Sequence, residues 1–176
     1  TFMTKNDIKK IMSEHPYLTS HGMGGYESPS MTPREKKVSF QRSREDLLTI
    51  VDECNKACMF LQHFDKRKTI NYNSSTYGLK HQAERFIESL GTINNPYISN
   101  GALMCASIFM GFDLKVPFDS PNGYINFSSR SPMIRLQKLK SDRYWTKASL
   151  RKRAELECQL GLPASELVQK YSDYYL

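Results

Sequence analysis

The stretch SNGALMCASIFMG, residues 99–111, decides the fold of this chain. Ser99 or Asn100 can cap a helix at its amino end, Gly111 can end it, and nearly every residue between them is apolar or small. A helix that is apolar on every side has to be surrounded by other elements. We therefore expect a buried helix from Ser99 to Met110 at the centre of a domain.

The segments around this helix have the three- and four-residue apolar spacing of amphipathic helices. We predict one helix from Ser43, as its cap, to Phe64, and a second from Thr76 to Leu90. Residues 130–141 are expected to be irregular or weakly helical, and helices should follow from about Asp142 onward. The predicted fold is mainly α, a compact helical domain with a central buried helix.

One small β-hairpin is expected near residues 112–128. Two short runs with strand-like residues flank Ser120-Pro121-Asn122-Gly123, which is a strong turn sequence. Together with the helix before it, this order also resembles a winged helix that reads DNA. A recognition helix needs polar side chains for base edges, however, and the apolar helix at 99–110 offers few of them.

The amino-terminal segment looks different from the rest. Residues 15–41 are rich in Gly, Ser, Pro and Thr and show no helical period, so we predict an extended N-terminal arm after a short helix. The expected organisation is an arm over residues 1–42 and a single helical domain over 43–176. Because a long arm commonly wraps a neighbour, a protein partner or self-association through the arm is one expected function.

No run of eighteen apolar residues and no hydrophobic leader occur, so we expect a cytoplasmic protein without membrane contact. The four cysteines are expected to be reduced, most of them buried. The alternative is a zinc site from Cys54, Cys58, His63 and His81, although this spacing lies mostly on one helix and lacks a knuckle turn. No metal and no cofactor are predicted.

The net charge of +7 is concentrated in one segment. Residues 130–153 contain nine Lys or Arg against one Asp. Cations with aromatic residues among them suit phosphate contacts combined with stacking on unpaired bases. The predicted nucleic-acid-binding residues of this segment are Arg130, Arg135, Lys138, Lys140, Arg143, Tyr144, Trp145, Lys147, Arg151, Lys152 and Arg153. The alternatives are a solvated basic helix whose Trp145 faces the core, and docking on an acidic protein surface.

A second candidate surface is the loop from residue 66 to residue 81. Three cations come near the end of one predicted helix, and hydroxyl residues lie at the start of the next, where free backbone N–H groups favour anions. Capping and the helix dipole explain the same residues without a ligand. The predicted phosphate-contacting residues are Lys66, Arg67, Lys68, Ser75 and Lys80.

Enzymatic function is not predicted, and no catalytic residues are proposed. Gly22 to Tyr26 has no strand before it or helix directly after it, so it is not a nucleotide-binding loop. The serine-hydrolase and zinc-protease motifs are absent from the sequence. The remaining enzyme hypothesis would need His81.

The motifs RKTIN (67–71), YGLKH (77–81), SNGALMCA (99–106) with GF (111–112), and PNGYINFS (121–128) resemble a pattern in uncharacterised proteins of bacteriophages and bacterial mobile elements. The resemblance covers about residues 54–128. It implies a bacterial or phage-infected cell and a role with nucleic acid or in an assembly, and it brings no catalytic residues. We therefore predict a non-enzymatic protein that binds DNA or RNA within a larger assembly, the alternative being an assembly subunit whose arm wraps a protein partner.

Overall fold

Eight helices and two short antiparallel hairpins make up the part of the chain that the computed structural model describes, residues 2–175, with side chains as far as Ser172. Thr1 and Leu176 lie outside the described residues. The mainly α class is confirmed. The elements are α1 (Lys5–Glu14), β1 (Leu18–Thr19), β2 (Gly22–Met23), α2 (Pro33–Leu47), α3 (Val51–Leu61), α4 (Thr76–Leu90), α5 (Asn100–Phe109), β3 (Leu114–Lys115), β4 (Tyr124–Ile125), α6 (Pro132–Ser141), α7 (Lys147–Gln159) and α8 (Glu166–Tyr175).

The predicted central helix is α5. Every residue from Asn100 to Ser107 is buried, and α5 packs against α1, α3, α4 and the first hairpin. Ser99 caps it as expected, because its hydroxyl accepts the backbone N–H of Ala102 at 3.1 Å. Gly111 follows the helix with a φ of 82°, a conformation that favours glycine. Burial of α5 on all sides thus organises the core.

The segment predicted as an extended arm is folded instead. Met3, Ile8 of α1 and Leu18 of β1 are buried in the core, and α2 already begins at Pro33. Thr32 and Glu35 form a reciprocal capping box at its start, which lowers the pKa of the Glu35 carboxyl through its bonds to Thr32. α2 is polar on most of its surface and therefore shows little hydrophobic periodicity. An extended arm was predicted because residues 15–41 lack this periodicity.

The predicted helix from Ser43 to Phe64 is two helices in the structure. Ser43 is a buried residue inside α2 and not a cap, and the chain turns at residues 48–50 before α3 begins. Thr49, Ile50 and Val51 are three consecutive β-branched residues, which lose side-chain freedom in a helix. The turn allows α3 to pack along α5 while α2 covers the first hairpin.

The hairpin near residues 112–128 is present as β3 and β4, with Leu114 opposite Ile125. The hairpin β1–β2 is a second one that the sequence did not predict. The loop after α3 docks on β4, where the backbone N–H of Arg67 donates to the carbonyl of Asn126 at 2.8 Å and that of Asn71 to the carbonyl of Ile125 at 2.9 Å. These bonds hold the 66–71 loop against the hairpin.

The basic segment is more regular than predicted. Residues 132–141 form the complete helix α6, with Pro132 in the first turn, where its missing N–H costs nothing. Met133 and Leu136 of α6 and Leu156 and Leu160 near α7 join the core. The cations of this segment therefore project from two helices that are anchored by apolar side chains.

Candidate nucleic-acid interface and a tyrosine-lined cleft

The turn from α6 to α7 carries the predicted cations into solvent. Asp142 ends α6 in an extended conformation, and Thr146 caps α7 in a reciprocal pair with Ser149. The side chain of Tyr144, at the middle of this turn, is 88% exposed. We call the exposed group at this turn the basic corner: Lys138, Lys140, Arg143, Tyr144 and Lys147.

Two predicted contact residues serve the protein's own structure instead. The Arg153 Nε donates to Glu157 Oε1 at 3.1 Å in a pair that is nearly enclosed, with side chains 12% and 4% exposed. The Arg153 guanidinium also lies 5.1 Å from the centre of the Trp145 ring. Trp145 is half-buried against Arg153 of α7 and is not among the residues of the core cluster, whereas the solvated-helix alternative expects it to face the core.

The other cations differ in their surroundings. Arg130 and Arg151 are exposed, Arg135 is half-buried, and exposed Lys152 lies 3.5 Å from Glu155. Partial burial, and then the neighbouring charge of Arg153, lower the pKa of the Lys140 amine. Lys140 of α6 therefore lies close enough to Arg153 of α7 for their charges to interact.

The loop predicted as a phosphate surface uses much of its polarity internally. The Arg67 guanidinium donates to the carbonyls of Thr69 and Ile70 at 3.0 and 2.9 Å. The Lys66 ammonium lies 5.2 Å from the centre of the Phe112 ring, and Lys68 is exposed. Binding of phosphate by Lys66 and Lys68 stays a prediction.

The start of α4 is closed by its own neighbours. The Thr76 N–H donates to the carbonyl of Gly123 at 2.7 Å, and the Gly78 N–H donates to the Ser75 hydroxyl at 3.2 Å. Gly123 returns a bond from its N–H to the Thr76 hydroxyl at 3.0 Å. These N–H groups stabilise the contact of α4 with the second hairpin, which supports the capping alternative for Ser75.

The cysteines and histidines do not form a metal site. Among the side chains that the structure describes, as far as Ser172, no three or more of His, Cys, Asp or Glu come together in a way that could hold an ion. Burial raises the pKa of the Cys58 thiol to about 12, and a hydrogen bond to Cys105, together with burial, raises the pKa of Cys54. The zinc alternative is therefore wrong for these residues.

A cleft of about 1170 Å³ lies between the first hairpin, the start of α4, the start of α5 and the β3–β4 loop. Aromatic side chains that are at least half exposed surround it. These residues are far apart in the sequence, so no local motif predicts that they line one site. We call this site the tyrosine cleft and define it by its aromatic walls, Tyr17, Tyr26, Tyr77, Tyr97 and Phe118.

Asn100, the first residue of α5, is only 7% exposed where it lines the cleft. Its Nδ2 donates to the carbonyls of His21 and Pro121 and to Asn122 Oδ1, at 3.0, 3.3 and 2.9 Å. These acceptors determine the orientation of the amide. Oδ1 accepts no hydrogen bond from any described residue, so the base of the cleft contains a buried acceptor without a donor.

Lys80, one of the predicted phosphate-contacting residues, lies in the cleft. Its ammonium is 4.7 Å from the centre of the Tyr97 ring, 5.7 Å from that of Tyr77 and 3.3 Å from Glu84 Oε1. The Lys56 ammonium donates to the Asn95 and Tyr97 carbonyls at 2.8 Å each, which holds the loop before α5. Lys56 thus supports the aromatic wall at Tyr97.

Protein-family models, curated proteins and solved structures give no match to this chain. Among the described residues, no helix has the length and apolar character needed to cross a membrane. The two surfaces that remain for functional inference are the basic corner, which the sequence predicted, and the tyrosine cleft, which it did not.

Proposed function

We propose that this protein binds nucleic acid through the basic corner, without catalysing a reaction. The observation that carries the proposal is the position of Tyr144, an exposed ring on a turn between two helices, flanked by exposed cations on both sides. A ring exposed to this degree gains no burial within the chain. Beside cations, it can stack on a base while they contact the phosphates.

The charge distribution supports the same function. Nine cations and one carboxylate occur between residues 130 and 153, and those of the basic corner point to solvent. Binding of this kind releases counterions from the nucleic acid, so its affinity falls steeply with salt. Arg151 and Lys152 on α7 extend the surface, whereas Arg153 and Trp145 position α7 from within.

The exposed ring favours unpaired bases over a duplex. Stacking on an aromatic side chain requires an accessible base face, which single strands offer and an intact duplex does not. We therefore propose single-stranded DNA or RNA as the ligand. The bacteriophage or mobile-element setting, the cytoplasmic location and the role within an assembly stay predictions.

The test compares two variants with the same loss of charge. Lys138→Gln/Lys140→Gln/Arg143→Gln/Lys147→Gln removes the cations of the basic corner. Lys5→Gln/Lys9→Gln/Lys10→Gln/Lys37→Gln removes four exposed cations from α1 and α2. Fluorescence anisotropy would follow a labelled single-stranded 20-mer from about 50 to about 200 mM salt, with a duplex beside it.

We expect the corner variant to lose at least about tenfold in affinity and to flatten the salt dependence by about 0.7 per lost phosphate contact. The α1–α2 control should remain close to wild type. Tyr144→Ala should weaken the single strand more than the duplex. If the wild type does not bind at the lower salt, or if both fourfold variants weaken binding equally, the proposed interface is wrong.

The alternative function is an assembly subunit whose arm wraps a protein partner. It was based on an extended arm, and this segment is folded onto the rest of the chain. Several apolar side chains of that segment, among them Ile8, Ile11 and Leu18, are buried in this chain's own core. The Arg44 guanidinium also fastens the segment by donating to the carbonyls of Met12, His15, Pro16 and Leu18. An assembly role stays a prediction.

A further inference from the structure

The size of the tyrosine cleft indicates a chain-like ligand. Sites for single small molecules usually enclose about 300–1,000 Å³, and this cleft exceeds that range. Phe118 is fully exposed on the β3–β4 loop, and Tyr17 and Tyr26 are more than half exposed beside the first hairpin. Rings from separate elements that line one cleft can contact successive units of an extended chain.

The charge of the cleft is unlike that of the basic corner. Its single lysine, Lys80, is paired with Glu84, and Glu27 lies 3.5 Å from Lys36. The carboxylate of Asp119 is exposed at the rim and has no ion pair among the described residues. A polyanion therefore meets a negative rim, whereas a ligand with a cationic group meets a partner.

The hydrogen-bonding groups of the cleft match a peptide backbone. The hydroxyls of the four wall tyrosines make no hydrogen bond to any described residue, so they can donate to carbonyl oxygens. Asn100 Oδ1 is inaccessible to solvent at the base of the cleft, so the contacts to the peptide come from the tyrosine hydroxyls and the wall aromatics. Extended polyproline II segments leave their carbonyls unbonded and dock in grooves that are lined by aromatic side chains.

We propose that the tyrosine cleft binds an extended, proline-containing peptide segment of a protein partner, with a basic side chain of that segment at Asp119. Proline rings stack on the wall aromatics, and the tyrosine hydroxyls bond the peptide carbonyls. Since an unmodified oligosaccharide has no cation for Asp119, the peptide fits the cleft better. This inference is independent of nucleic-acid binding at the basic corner.

The experiment uses the full chain and fluorescein-labelled decapeptides in an anisotropy titration. The first peptide has Pro-Pro-Leu repeats after one Arg, the second has Glu in place of Arg, and the third has Gly in place of every Pro. Chitohexaose serves as an unlabelled competitor. We expect saturable binding of the first peptide, weaker binding of the second, and none of the third.

Variants locate the binding and separate it from the other surface. Phe118→Ala and Tyr17→Ala, both at exposed positions that do not carry the core, should each weaken the first peptide by at least about tenfold. Asp119→Asn should abolish the preference for Arg over Glu. Tyr144→Ala is the matched control: it should leave peptide binding unchanged, and Phe118→Ala should leave oligonucleotide binding unchanged.

Three results would overturn the proposal. One is a Kd weaker than about 1 mM for the first peptide. Another is equal affinity for the peptide in which Gly replaces Pro. The third is a cleft that binds chitohexaose, or an oligonucleotide in a manner sensitive to Phe118→Ala, while peptides do not compete. Failure of the peptide arm leaves the oligonucleotide result for the basic corner intact, so the two proposals fail separately.

Discussion

The basic corner and the tyrosine cleft are built in opposite ways. The corner comes from one continuous segment, residues 138–147, whose shape depends on helix ends and on a single enclosed ion pair behind it. The cleft joins four separate segments through backbone contacts. A site whose residues are neighbours in the sequence can be predicted from composition. A site that is made from distant segments can be recognised only in the folded structure.

The contacts that close the cleft depend on small residues. The Gly101 N–H donates to the carbonyl of Ser20 at 3.0 Å, and the Met23 N–H donates to the carbonyl of Pro121 at 3.0 Å. A Cβ atom on Gly101 would overlap the carbonyl oxygen of Thr19, and one on Gly22 would overlap that of Pro121. The first hairpin, α5 and the β3–β4 loop therefore meet backbone to backbone.

The largest expected effect is on the ion pair behind the corner. In Glu157→Ala, Arg153 stays enclosed without its partner and the Ser165 N–H loses its acceptor, so the free energy of unfolding should fall by about 3–5 kcal/mol. Glu155→Ala removes an exposed pair on the same helix and should cost no more than about 1 kcal/mol. Urea unfolding, followed by the fluorescence of Trp145, measures both. Equal effects would mean that Arg153 is not enclosed in solution.

A smaller effect is expected from tightening the cleft. Gly101→Ala inserts a methyl group against backbone that cannot move independently, and the free energy of unfolding should fall by about 1–3 kcal/mol, with peptide binding weakened. Gly78→Ala is the control, since its methyl group would meet the hydroxyl of Ser74 and α4 gains a better helix former. Urea unfolding and the peptide titration test the pair. A Gly101→Ala variant as stable as the wild type would contradict the close backbone packing.

The smallest effect concerns the pH dependence of the core. His63 packs 5.5 Å from the Phe86 ring, and burial lowers the pKa of His63 from its ordinary 6.5. The unfolded chain therefore takes up the proton first, so His63 stabilises the fold above about pH 6.5, and this stability is lost as the pH falls toward the folded pKa. His63→Gln should flatten that part of the curve of unfolding free energy against pH. An unchanged slope would mean that His63 is solvated.

Much of the helical architecture could be predicted from local chemistry. α5 follows from an unbroken apolar run, and α4 follows from its stripe and from Gly91, whose φ of 70° ends the helix. The charge of the corner also follows from sequence alone. What failed was the assumption that a helix must show an apolar period, because α2 is specified by the capping box of Thr32 and Glu35.

The surroundings of two cations, Lys80 and Arg153, were not predicted, because they depend on contacts with other elements. Lys80 is predicted as a phosphate-contacting residue, but its ammonium lies beside Glu84 and the rings of Tyr77 and Tyr97, and Tyr97 is outside α4. Arg153 and Glu157 have the i,i+4 spacing of an ion pair, so this contact could have been inferred. Its enclosure could not, since it depends on how α6 and α8 pack around α7.

The reactivity of the cysteines can report when the core opens. Cys54 and Cys58 on α3 and Cys105 on α5 are covered, and the raised pKa values of the first two keep those thiols protonated, whereas Cys158 on α7 is exposed. An alkylating reagent attacks the thiolate, so it meets Cys158 at once and the other three only when α3 and α5 part. The extent of labelling at Cys158 reports how long the protein has been in the reagent. The extent of labelling at the other three cysteines reports how often the core has opened in that time.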